Sequence, residues 1–108
     1  MSLSKQMDGG NIMRKSLDGG EALIEAFRKL NVKYILSSPG TEWAPVWEAM
    51  ANQKQSGNNG PILMDVWHET LAVAIAAGFT LATGEMQAVL LHAGSGLLQG
   101  NMGIHGAF

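Results

Sequence analysis

Three short apolar runs alternate with stretches of helical periodicity, and that alternation limits the chain to a small set of folds. The runs are Tyr34–Leu36 in "KYILSSPG", Ile62–Val66 in "ILMDV" and Gln87–Ala93 in "QAVLLHA". Each is short and bounded by turn-forming residues, as apolar strands are, and the first is consistent with a strand buried in a parallel sheet. Before the first run, Leu23, Ile24, Phe27 and Leu30 recur at helical spacing, with Glu21, Glu25, Arg28 and Lys29 on the other face. This predicts a helix from Asp18 to Asn31, its acids early and its bases late, as the helix dipole favours. "TEWAPVWEAMA" predicts a second helix with Trp43, Val46, Trp47 and Met50 on one side and Pro45 near its start. Asn52–Pro61 reads as a polar loop. "VWHETLAVAIAAGFTLATG", Val66–Gly84, predicts a third helix, apolar on every side and therefore buried. Leu97–Phe108 begins a fourth.

The order helix, strand, helix, strand, helix, strand, helix predicts an α/β fold: a three-layer, flavodoxin-like parallel sheet with helices on both faces. With no fourth strand after the last helix, residues 16–108 read as part of a larger domain. The first 15 residues are polar and contain glycine, and are expected to be poorly ordered or tag-like.

Composition narrows function by exclusion. The 108 residues are 46% hydrophobic and only 15% charged, below the roughly 25% usual for soluble domains. So little charge suggests that much of the surface is covered by another domain or subunit. Net charge is −2, and the seven basic residues form no run, so nucleic-acid binding has no electrostatic footprint. The lack of cysteine excludes disulfide scaffolds, thiolate metal sites and cysteine nucleophiles, and fits a cytoplasmic setting. No apolar run has the length of a membrane span, and the N-terminus lacks the apolar core of a secretory signal.

In open parallel sheets, ligands bind beyond the carboxyl ends of the strands. Here that rule selects "SSPGT", "WHE" and "HAGSG". Glu69 has two readings. An acid in the first turn of a helix is favoured by the dipole alone. A carboxylate held in apolar surroundings is disfavoured in its charged form, which readies it for proton exchange. His92 ends a strand beside Gly-Ser-Gly; it is either satisfied by backbone groups or a proton donor and acceptor facing the same pocket. His68, His92 and His105 lack the spacing of metal ligands. "GSGLLQG", Gly94–Gly100, has a phosphate loop's flavour but the spacing G-x-G-x-x-x-G, with no Gly-Lys-Ser/Thr after it. It reads equally as a tight strand-to-helix turn.

Taken together, the motifs resemble the N-terminal pyrimidine-binding domain of thiamine-diphosphate enzymes, the group of acetolactate synthase, benzoylformate and pyruvate decarboxylases and benzaldehyde lyase. The resemblance runs from about Ser16 to the end. It rests on "GGEALIEAFRKLNVKYIL", on Pro39-Gly40 after the first strand, on "HETLAVAIAAGFTLATG" with Ala77 where Asp is usual, and on "GSGLLQ". In the last of these Ser95 and Gln99 replace the family's Pro and Asn.

The resemblance implies that Glu69 hydrogen-bonds N1′ of the cofactor's aminopyrimidine, favouring the imino tautomer whose N4′ can take the thiazolium C2 proton; an amide could not share a proton in the same way. It further implies that Pro39, Gly40, Gly94, Ser95, Gly96 and Gln99 lie on the cofactor side. Thr41 and His92 would line the pocket for a 2-oxo acid or aldehyde, with His92 transferring protons for some substrates. Thiamine diphosphate and Mg²⁺ are the implied cofactors, the diphosphate and metal held by a second domain whose Gly-Asp-Gly signature is absent from these residues. A homo-oligomer, dimer or tetramer, with the site between subunits is also implied. The resemblance thus implies part of a decarboxylase or carboligase of acetolactate-synthase type, inactive by itself. Two other readings stand beside it: a degenerate relative acting as a structural dimer, suggested by Ser95 and Gln99, and a flavodoxin-like nucleotide-binding module built on "GSG".

Overall fold

A computed structural model describes residues 5–8, 11–14, 16–38 and 40–107. Pro39, an expected cofactor-side residue, lies outside the described residues. Within the stretch read as a poorly ordered N-terminus, Lys5–Asp8 (β1) pairs antiparallel with Asn11–Arg14 (β2) as a ladder separate from the main sheet.

The α/β expectation is met. Tyr34–Ser38 (β3) lies between Ile62–Asp65 (β4) and Ala88–Leu91 (β5), all three parallel, in the order β4-β3-β5. The register sets Ile35 beside Leu63 and Ala88, and Leu36 beside Met64 and Val89. Side chains alternate across a strand, so the sheet feeds two cores. Ile35, Ala88 and Leu90 join Ile24 and Val32 with Val46 and Ala49. Leu36 joins Ala72 and Ala76 on the other face. The central strand is the most deeply buried, with Ile35 and Leu36 at 0% and 1% exposure. Burying such a side chain is worth about 1.5–3 kcal/mol relative to leaving it in water.

Helix α1, Gly19–Lys29, starts at a capping box: the Asp18 carboxylate accepts from the Glu21 N–H at 2.8 Å, and the Glu21 side chain accepts from the Asp18 N–H. The chain leaves it through Asn31 at φ 58°, a left-handed conformation that Asn tolerates. A 3₁₀ turn, Thr41–Trp43, leads into α2, Ala44–Gln55. Gly20 is buried, and a side chain there would strike the Pro45 carbonyl, so glycine allows α1 and α2 to pack closely. Helix α3 spans Glu69–Thr83 and ends at Gly84, φ 73°; α4 spans Ser95–Gly106.

Two expectations need correction. Helix α2 runs through "NQKQ" to Gln55, so the loop starts at Ser56 rather than Asn52. Strand β4 forms where the second apolar run lies; it pairs with β3 alone among the described residues, and Ile62 and Met64 are 59% and 40% exposed. Helix α3 is not buried on all sides. Ala72, Val73 and Ala76 face the interior, whereas Leu71 and Leu81 are exposed. Its small residues pack one face onto the sheet and α4, and the opposite face has no cover within the described chain.

Candidate functional site

The sheet brings its three strand ends to one edge, and the candidate residues follow them. After β4, His68 caps α3, its Nδ1 accepting from the Thr70 N–H at 3.1 Å. Glu69 is thereby the first residue of α3, partly buried. Thr70 Oγ1 donates to the Gln99 carbonyl at 2.9 Å and ties the start of α3 to α4. After β5, Gly94 turns the chain at φ 67°, ψ −89°, a conformation suited to glycine. Ser95 then opens α4, and in its first turn Gly96 is buried whereas Leu97 and Leu98 are exposed.

Gly96 is where two expected site residues meet. A Cβ placed on it would lie 2.7 Å from the His92 Cβ and 3.1 Å from Glu69 Oε1. His92 and the Glu69 carboxylate therefore flank one bare backbone position. Among the described residues, no hydrogen bond or ion pair occupies the Glu69 carboxylate. A partly buried acid without an internal partner, beside a position kept free of a side chain, is open to a ligand that can donate or share a proton.

The third strand end contributes a residue that reasoning from "SSPGT" misses by one position. Glu42 Oε1 accepts from the Ala93 N–H at 2.6 Å and lies 3.2 Å from His92 Nδ1. The Ala93 N–H, then Glu42's own backbone N–H, hold this carboxyl below its ordinary 4.5; His92 adds a smaller pull the same way, and desolvation opposes them. Trp43 Nε1 donates to the Leu91 carbonyl at 2.7 Å. Gly40 is buried, and a side chain there would collide with the Glu42 carboxylate. The available signal was an acid directly after the Pro-Gly-Thr of a strand end.

The remaining expected residues are placed less centrally. Thr41 is exposed and begins the 3₁₀ turn, its carbonyl accepting from the Ala44 N–H. Gln99 is exposed and engages Thr70 through its carbonyl rather than its side chain. His68 is used as a helix cap. Among the described residues, no group of three or more His, Asp or Glu converges to hold a metal, and no helix is long and apolar enough to cross a membrane.

Set against known proteins, residues 17–108 match the family model described as thiamine pyrophosphate enzyme, N-terminal TPP binding domain. A search of curated proteins gives no match.

Proposed function

Starting from the fact that the chain belongs to the family of N-terminal TPP-binding domains of thiamine pyrophosphate enzymes, we propose that it supplies the pyrimidine side of a site for 2-oxo acid decarboxylation or carboligation. The observation that carries this reading is the Glu69 carboxylate, partly buried at a strand end, unpaired among the described residues and bordered by Gly96.

The residues fit the cofactor's aminopyrimidine. Gly96 lets the first turn of α4 pack directly against Glu69, and the carboxylate, only partly buried and unpaired among the described residues, can be met by a flat ring from its exposed side. Bound thiamine diphosphate supplies a carbon acid and an electron sink for the substrate's carbonyl carbon. Glu69 holds and exchanges a proton at N1′ of the ring, a task that suits a carboxyl group because it both donates and accepts. The Gly94-Ser95-Gly96 turn gives backbone access to the ring. His92, on the other side of Gly96, is positioned to move a proton to or from substrate, and Thr41 contributes to the pocket wall. The diphosphate and Mg²⁺ belong, in this proposal, to a second domain, and the complete site forms in an oligomer.

The test is turnover of 2-oxo acids by the protein carrying this domain, with thiamine diphosphate and Mg²⁺ supplied. Glu69→Gln keeps the shape and removes the shared proton. The expected loss in kcat is about a hundredfold or more, the usual scale for general acid–base groups. Full turnover in Glu69→Gln would overturn the reading. Slowed exchange of the cofactor's C2 proton in the same variant places the defect at the step Glu69 serves.

A further inference from the structure

We propose that Glu42 is a positioning residue for His92: it holds the ring with Nδ1 as the protonated nitrogen and leaves Nε2 as the one that takes and gives protons. This rests on the proton-transfer reading of His92 given above, and adds a residue on a different strand end that sets how His92 performs it.

Two hydrogen bonds grip the backbone on either side of His92. Trp43 Nε1 donates to the carbonyl of Leu91, and the N–H of Ala93 donates to Glu42 Oε1. Adjacent residues of one 3₁₀ turn thus hold the residues before and after the histidine. The Glu42 oxygen that takes the Ala93 N–H is also the one 3.2 Å from His92 Nδ1. An ionised carboxylate only accepts, so a neutral imidazole bonds to it only with its proton on Nδ1. A free neutral imidazole side chain prefers the proton on Nε2, so Glu42 works against the ring's own preference. When His92 is protonated, the same contact becomes an ion pair. The carboxylate is itself aimed: Gly40 gives it the room it occupies, and the Ala93 N–H fixes its oxygen. Orientation of a histidine by an acid on its far nitrogen is a recurring way to select a tautomer.

The test reads the tautomer directly and needs no cofactor. The full chain is labelled with ¹⁵N-histidine, and the ring nitrogens are observed above the pH at which the histidines titrate. His92 is assigned by its loss in His92→Gln. The wild type is expected to show His92 mainly as the Nδ1–H form, and Glu42→Gln and Glu42→Ala to reverse the majority to Nε2–H. His68, whose Nδ1 accepts from Thr70, serves as the internal standard for the Nε2–H form. A wild-type His92 in the Nε2–H form, or a tautomer unchanged in Glu42→Gln, overturns the proposal. If Glu42→Ala does not fold, the wild type and Glu42→Gln decide. Failure of the thiamine reading shows separately, as full turnover in Glu69→Gln.

Discussion

Gly96 stands against Glu69 so closely that a methyl group on it would lie 3.1 Å from the acid's Oε1 and 3.2 Å from its Cγ. The same methyl would meet the His92 Cβ at 2.7 Å, an atom that cannot swing away without moving β5's end. Gly96→Ala should therefore destabilise the domain by about 1–3 kcal/mol, the range for overpacking. Part of that strain belongs to Glu69, so adding Glu69→Ala should return some of it. A double-mutant cycle by urea denaturation measures the coupling, expected at about 0.5 kcal/mol or more. Strict additivity would mean that the acid and the bare glycine do not share space.

Glu42 predicts an acid-side dependence of stability. Its carboxyl is held below the ordinary 4.5, chiefly by the Ala93 N–H. A group depressed in the folded state adds stability that is complete above its unfolded value and vanishes as pH falls through its folded one. Wild type should thus exceed Glu42→Gln in Tm at neutral pH, and the gap should narrow as pH drops below 4.5. Thermal unfolding of both proteins across that range checks the sign. A gap that widens in acid would rule out the charged carboxylate as the source.

How much of this could be read from the sequence differs by element. The central strand and its two cores were legible because Tyr34–Leu36 and Ala88–Leu91 are short apolar runs between helical patterns. The end of α2 was not, because Asn52, Lys54 and Gln55 are exposed on the helix and carry the same polar chemistry as a loop. Apolarity misled at α3. Leu71 and Leu81 are apolar yet exposed, as are Ile62 and Met64 of β4, and no local pattern says which side of an apolar segment the chain itself will cover. At the site, the strand-end rule pointed to Glu69, His92 and Gly96, whose approach follows from topology. Glu42 escaped because its bond to Ala93 joins residues 51 apart; only the pairing of β3 with β5 makes them neighbours. Gln99, expected on the cofactor side, also engages Thr70 through its backbone carbonyl.

Glycines in α3 and α4 should respond to alanine with opposite signs. Gly78 lies within α3, exposed, and nothing stands within 4 Å of an added Cβ. Gly78→Ala should stabilise by roughly 0.5–1 kcal/mol, the helix preference of alanine over glycine. Gly103 lies within α4, and its Cβ would sit 2.7 Å from Val73 Cγ1. Val73 is buried and β-branched, with little rotamer freedom to escape. Gly103→Ala should be a net loss, its overpacking of about 1–3 kcal/mol exceeding the same helix gain. Denaturation midpoints of the two variants settle both signs, and a stabilised Gly103→Ala would mean that α3 and α4 separate more readily than their contacts suggest.

The two tryptophans beside the site make a paired test. Trp43 donates to the Leu91 carbonyl at 2.7 Å, whereas Trp67 is 98% exposed. Trp43→Phe keeps most of the apolar contact and removes the donor. It should cost about 1 kcal/mol, the usual net worth of one hydrogen bond. The loss should also be local: the 3₁₀ turn is freed from the end of β5, so Glu42 holds the Ala93 N–H less firmly. Hydrogen exchange at Ala93 should accelerate beyond what the change in global stability explains. Trp67→Phe, with no contact to lose, should change stability by no more than about 0.5 kcal/mol and leave Ala93 exchange as it was. Equal effects from the two substitutions would show that the Trp43–Leu91 bond does not anchor this corner of the site.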